Sequence, residues 1–388
     1  MMRRFISFLR RWQNVLAALT LIVATLVGIR LWPHEPLSRL ASSSTAVYDD
    51  AGHLLRLTLA SDERYRLWIP LREMPTSLVR GVMLHEDAWF RWHPGFNPIS
   101  LTRGGWVTYV RGGNRQGGST ITMQLARLVY HLNTKTPGGK MRQVMRAIEL
   151  ELCYSKDDIL EAYLNYAPYG RNIEGAAAAS LIYFDKPVAQ LSLPEALTLA
   201  VIPQDPSRRV RDSGNADDII GSRLSDARER LFKRWIADHP QDASMAPLMK
   251  LPLRLRSPEH LPFAAPHFVE EVIADRRLRS ANLPSEIHTT LDSGMQRLFE
   301  RQIAAHIERN TDRGIRNAVA IAIDTRDMGI KALVGSADYK NAEIAGQVNG
   351  ALAKRSPGSA LKPFIYALGF DQGVLHPQTV LRDVPTSF

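Results

Sequence analysis

At 388 residues, 45% hydrophobic and 23% charged, the chain is long enough to bury more than one core, so two globular units are expected. Its net charge of +10 would suit a nucleic-acid partner, but no zinc-finger, homeodomain or RNA-recognition signature accompanies it, so no nucleic acid is expected. Anionic lipid head groups and diphosphates account for the charge equally well. Cys153 is the single cysteine, which excludes an intrachain disulfide and a cysteine-based metal site, and its helical context reads as a packed thiol.

In chain order, a basic tail (1–13) carries Arg3, Arg4, Arg10 and Arg11 ahead of an apolar run from Val15 to Ile29. As a helix that run spans about 22 Å, short of a bilayer core, but Arg30 can snorkel and Trp12 and Trp32 suit the two interfaces. Residues 14–32 therefore read as a single-pass signal-anchor, N-terminus in the cytoplasm and the bulk of the chain periplasmic. A cleavable signal peptide is the competing reading, although no small-x-small site precedes Ser42-Ser43-Ser44. Residues 33–73 read as a short strand-containing connection, with Val47–Gly52 as strand and turn. Helical periodicity then dominates from 74 to 208. The stretch 209–287, with an amphipathic helix over about 216–240 and prolines through Pro266, reads as an interdomain linker. From 288 to 388 helix and strand alternate: a helix at Leu298–Ile307, strands at Ala318–Ile323 and Lys331–Val334, and a helix starting near Ser359.

The most informative stretch is Gln116-Gly-Gly-Ser-Thr-Ile-Thr-Met-Gln-Leu-Ala-Arg127. Read as a helix from Ser119, it gathers Thr120, Gln124 and Arg127 within roughly 60° and sets Ile121, Leu125, Leu128 and Leu132 on a separate apolar face. Paired glycines opening a helix admit close backbone approach, and free amides at a helix N-terminus favour an anion. An ordinary amphipathic helix capped by Ser119 fits the same spacing. In the helix around residues 140–152, Lys140 and Gln143 lie about 60° apart with Glu151 near the same face, while Met141, Val144, Met145, Ile148 and Leu152 read as the buried stripe.

GGSTITMQLAR closely resembles the second signature of the peptidoglycan glycosyltransferases of class A penicillin-binding proteins. Upstream, Glu86-Asp87-Ala-Trp-Phe90-Arg-Trp-His93-Pro-Gly95 resembles the family's first signature. Downstream, Ser155–Asn165 and Gly175–Phe184 resemble the later ones, in order; four ordered matches over about 120 residues argue against coincidence. The resemblance implies a mainly α, lysozyme-like glycosyltransferase domain (74–208) after a transmembrane helix, followed by an incomplete α/β penicillin-binding (transpeptidase) domain. It implies lipid II and the growing glycan chain as substrates, membrane lipids and other cell-wall synthesis proteins as partners, no required cofactor, and Mg2+ at the diphosphate as an option without an assigned metal-binding residue.

A sugar hydroxyl is a poor nucleophile, so a carboxylate must take its proton as the bond forms. By resemblance Glu86 is that base; without the motif it would read as a solvated acidic pair with Asp87. The departing diphosphate gathers negative charge and needs cations. By resemblance Arg127 and Lys140 supply them, Ser119, Thr120 and Gln124 add polar contacts, and Asp87 and His93 either touch substrate or orient their neighbours. Most members carry a glutamate at Gln143 and an arginine at Gly139. The wording Gly138–Gln143 and His93–Pro98 resembles the 1C branch of the family.

Arg355-Ser-Pro-Gly-Ser359-Ala-Leu-Lys362-Pro resembles the S-x-x-K motif of penicillin-sensitive transpeptidases, with Ser359 as nucleophile and Lys362 as its base. No K-T-G or S-x-N sequence follows it. Ser213-Gly-Asn215 and Ser280-Ala-Asn282 precede the serine, against the family order. The expected protein is thus a glycosyltransferase with a truncated, inactive transpeptidase start. An inactive scaffold and a lytic, lysozyme-like enzyme are the alternatives.

Overall fold

Two helices of the first unit show how the sequence supplies caps. Thr136 accepts from the amide of Gly139 ahead of Pro137, and Ser155 and Asp158 form a reciprocal capping box. A computed structural model of the chain describes residues 16–17, 20–21, 23–98, 118–211, 221–280 and 283–381. The expected basic tail, Gly117, all of Ser213–Asn215 and part of Ser280–Asn282 lie outside these, as do parts of the 14–32 segment. Residues 23–31 are helical, and among the described residues no helix is long and apolar enough to cross a membrane.

The chain divides into two compact units, Met1–Ala264 with Val269–Thr290, and Ala265–Phe268 with Leu291–Phe388. In the first, α1 (Thr76–Glu86), α2 (Ile121–Val129), α3 (Pro137–Cys153), α4 (Lys156–Tyr166), α5 (Ala176–Phe184), α6 (Leu193–Val201), α7 (Pro206–Arg211) and α8 (Ser222–Asp238) carry one hydrophobic core. Helix α5 is buried along almost its whole length, as its uniformly apolar sequence requires. Two small sheets flank the helices: β2 (Leu54–Leu57), β1 (Ala46–Tyr48) and β6 (Glu286–His288) in that order, and β3 (Tyr65–Arg66), β5 (Ile173–Glu174) and β4 (Pro168–Gly170). β1 runs antiparallel to β2 and parallel to β6; β3 runs parallel to β5.

These pairings change the expected boundaries. Residues 33–73 are more than a connection, because β3 pairs with β5 in register Tyr65↔Ile173, and Leu37, Leu67 and Ile69 enter the helical core. Arg66 is buried there between Asp62 and Glu174, so its charge is compensated. The stretch 209–287 is likewise more than a linker: α8 buries Leu224, Ala227, Leu231, Phe232 and Trp235 in the same core. In neither segment does the local pattern say what it packs against, because the partners are distant in sequence.

The second unit contains α9 (Ser293–Asn310), an antiparallel pair of β7 (Ala320–Ile323) and β8 (Ile330–Val334), and α10 (Lys362–Asp371). Gln296 of α9 is buried and reads the backbone of Leu333 at both its amide and carbonyl, 2.8 and 3.0 Å. Ser359 sits on a 3-10 turn, Gly358–Leu361, that runs directly into α10, whose first residue is Lys362.

Candidate active site

Glu86 is the last residue of α1, and its side chain is only 6% exposed. Oε2 accepts a 2.7 Å hydrogen bond from Gln124 Nε2, whereas the buried Oε1 has no hydrogen-bond partner among the described residues. The amide of Gln124 is held at its other end, where Oε1 accepts from the Tyr163 hydroxyl at 3.3 Å. Burial raises the Glu86 pKa above the usual glutamate value; the Gln124 bond and the positive charges of Arg209 and Arg127 oppose that rise. A cavity of about 180 Å³ opens beside it, lined by Asp87, Asn97, Gly118, Ser119 and Arg234 among others.

Asp87 turns away from this task. Its Oδ2 accepts from His93 Nε2 at 2.9 Å and from the amide of Ile121 at 3.0 Å, so it caps the first residue of α2 and ties it to the signature loop. Thr120 is equally committed. It is the N-cap of α2, accepting from Met123 N at 3.1 Å and donating to Gly95 O at 2.6 Å. The helix therefore begins at Ile121, not Ser119, and the angular grouping of Thr120 with Gln124 and Arg127 fails because Thr120 has extended backbone angles. Gly95 has φ +87°, and a β-carbon there would lie 2.9 Å from Ala147 O, so the loop needs glycine to pass α3.

A second cluster holds the expected anion contacts. Lys140 Nζ donates to Ser119 Oγ at 2.7 Å and to Gln143 Oε1 at 2.9 Å, and Gln143 Nε2 donates to Met123 O at 2.6 Å. Arg127 is exposed two turns along α2 from this point. The face of α3 that is buried carries Gln143, Ala147 and Leu150. Met141 and Met145, expected in the buried stripe, are exposed, because the buried face of α3 is the one that carries Gln143, Ala147 and Leu150. Glu151, expected near Lys140, instead accepts from Thr122 at 2.6 Å and Lys156 at 2.7 Å. At Gly139, where most family members carry arginine, a β-carbon would fall 1.9 Å from Asn133 O, so the preceding turn is closed against a bare α-carbon.

The site also includes groups that the sequence reading missed. His85 Nε2 lies 3.2 Å from Gln204 Oε1 and 3.9 Å from Glu86 Oε1, and burial with nearby arginines lowers its pKa to about 4. Arg209 donates to Gln204 and to the carbonyl of Val201. Adjacency of His85 to Glu86 is the signal the sequence offers; Arg209 lies at the end of the helical stretch and carries no such signal.

Among the described residues no group of three or more His, Cys, Asp or Glu could hold a metal ion, and both ends of the Gln143 amide are engaged. In the second unit, Ser359 and Lys362 are both exposed, and no hydrogen bond joins them among the described residues.

The chain resembles known proteins along most of its length. A transglycosylase family model matches residues 52–228, and a penicillin binding protein transpeptidase domain model matches residues 318–387. Penicillin-binding protein 1C of Escherichia coli (strain K12) is 35% identical over 381 residues, 96% of this chain and 46% of that protein. Penicillin-binding protein 2D of Bacillus subtilis (strain 168) is 30% identical over 358 residues, 89% of this chain and 49% of that protein. Penicillin-binding protein 1A of Vibrio cholerae is 31% identical over 266 residues, 65% of this chain and 31% of that protein. The chain spans about half the length, or less, of these curated relatives. With a transglycosylase match followed by a transpeptidase match on one polypeptide, the chain belongs to the class A penicillin-binding proteins.

Proposed function

We propose that this chain is a peptidoglycan glycosyltransferase that polymerises lipid II into glycan strands and releases undecaprenyl diphosphate. The observation that carries this reading is Glu86: a buried carboxylate with one oxygen fixed by Gln124 and the other without a hydrogen-bond partner among the described residues, beside an open cavity. The Glu86 carboxylate takes the proton of the acceptor's 4-hydroxyl as the hydroxyl oxygen attacks the anomeric carbon of the donor, which inverts as its bond to the diphosphate breaks. Charge growing on the diphosphate is met by Lys140, Arg127 and the Ser119 hydroxyl, positioned before the reaction starts. Asp87, His93 and Thr120 hold the loop and helix that carry these groups.

Residues 14–32 act in this proposal as a single-pass anchor that keeps the enzyme on the periplasmic face of the cytoplasmic membrane, where a lipid-linked substrate resides. Exposed Trp89 and Trp92, with Met141 and Met145 on α3, give the first unit apolar and amphipathic surface suited to a lipid interface. Ser359 and Lys362 keep the S-x-x-K spacing, but the activity proposed is confined to glycosyl transfer. Detergent-solubilised protein incubated with labelled lipid II tests the reading: glycan polymer is expected. Release of cleaved muropeptides would favour a lytic enzyme, and no product would favour a scaffold.

A further inference from the structure

Gln143 is buried to 2% exposure in the middle of α3, and both ends of its amide are used. The NH2 group donates to the carbonyl of Met123 on α2, and the oxygen accepts from the ammonium of Lys140 one turn back on its own helix. Donation to Met123 O fixes which end of the amide faces Lys140, because a carbonyl oxygen accepts only from a donor. Lys140 then bridges from that oxygen to Ser119, just ahead of the N-terminus of α2. A flexible four-carbon side chain is thereby held at one place, so its ordering is completed before a ligand arrives.

We propose that Gln143 is a positioning residue: its amide, keyed to the Met123 carbonyl, holds the Lys140 ammonium beside Ser119, where it receives the diphosphate of a lipid-linked substrate. This rests on the function proposed above and adds to it a residue that acts through another. A carboxylate at this position could accept from Lys140 but could not donate to Met123 O, leaving two buried acceptors 2.6 Å apart. It would also bring a negative charge to the cation that must meet a phosphate. Glutamine is the side chain that does both jobs here.

A double-mutant cycle tests the proposal, with farnesyl diphosphate in detergent micelles as the probe and its Kd as the readout for the full chain. Gln143→Met and Lys140→Met are each expected to weaken binding about tenfold, the scale of one charge-assisted contact. The double variant should bind no more weakly than Lys140→Met alone, since Gln143 acts through Lys140. Losses that multiply to about a hundredfold, or a Gln143→Met variant that binds like the parent, overturn it. A lowered melting temperature with unchanged Kd would mark Gln143 as a helix-packing residue only and also overturns it. Should Gln143→Met fail to fold, Gln143→Ala, which removes the amide without adding bulk or charge, replaces it in the cycle with the same expected loss. Polymerisation of lipid II by the parent is measured separately. If it is absent while the cycle shows coupling, the proposed function fails and the positioning role stands.

Discussion

Gln124 Nε2 lies 2.7 Å from Glu86 Oε2, one α2 side chain reaching the last residue of α1. A donor to the ionised carboxylate lowers its pKa against the burial that raises it, so Gln124 governs how much of Glu86 is charged. Replacing Gln124 with methionine removes the donor and keeps the volume. Polymerisation at pH 7 is expected to fall at least tenfold and to recover in part as pH rises, because the carboxylate then ionises at higher pH. Initial rates with labelled lipid II from pH 6 to 9 check this; a loss that does not change with pH would refute it.

Glu86→Gln should abolish polymerisation, by more than about 10²-fold, the usual lower scale for a lost general base. The same change should stabilise the fold at neutral pH. A carboxyl whose pKa is higher folded than unfolded binds its proton more tightly when folded, so stability is lost as pH rises from the unfolded pKa through the folded one. Above that window the parent carries the penalty and the glutamine variant does not. The expected gain is on the order of 1 kcal/mol, as for other relieved active-site groups. Thermal melts at pH 7.5 and pH 4 check it: the difference should be present at the first and shrink at the second.

The acid limb of the pH–rate profile should belong to Glu86 and lie above the ordinary glutamate range. His85 is next to it, yet with a pKa near 4 it stays neutral through that range and contributes no titration there. His85→Gln is expected to leave the position of the limb within about half a unit, since one neutral polar group replaces another. Rates from pH 4.5 to 8 check this, and a limb that moves by a full unit would assign it to the histidine.

Arg127→Ala and Lys140→Ala should each weaken use of the diphosphate substrate, and weaken binding of a phosphoglycolipid inhibitor such as moenomycin. Arg127 is exposed, so its loss should act on binding and leave the melting temperature within about 1 °C, as surface changes of under 0.5 kcal/mol do. Kinetics in both variants equal to the parent's would make these residues solvated helix faces.

The signature residues were legible because short spacings carry them: Glu86 with Asp87, and Ser119 through Arg127. Lys140 and Gln143 were legible too, since a 60° separation on one helix does place Lys140 Nζ 2.9 Å from Gln143 Oε1. What failed was anything set by a partner distant in sequence. The buried stripe of α3 was assigned to its methionines by hydrophobicity, yet α2 packs against Gln143 and Ala147, and burial follows the closer fit. Thr120 was grouped with Gln124 and Arg127 by extending helical angles into a residue that is extended. Residues 33–73 and α8 were placed outside the catalytic unit because two- and three-residue strand pairings and a mid-chain helix leave no local mark of what they bury against.

Asp87 offers the clearest separation of architecture from chemistry. It is adjacent to Glu86 in sequence and belongs to the same signature, but its Oδ2 is taken by the Ile121 amide and by His93 Nε2. Asp87→Ala removes the acceptor for the first amide of α2 and leaves that buried amide and a buried imidazole without it, at a cost of about 2–4 kcal/mol. Asp87→Asn keeps an oxygen for the amide and is expected to cost less than half as much. If Asp87 acts only by holding α2, the activity of Asp87→Asn at temperatures well below its melting point should stay within tenfold of the parent, against the more than hundredfold loss in Glu86→Gln. Melting temperatures and low-temperature polymerisation rates for the three variants decide the matter. An asparagine variant that is as stable as the parent yet as inactive as Glu86→Gln would place Asp87 in the reaction itself.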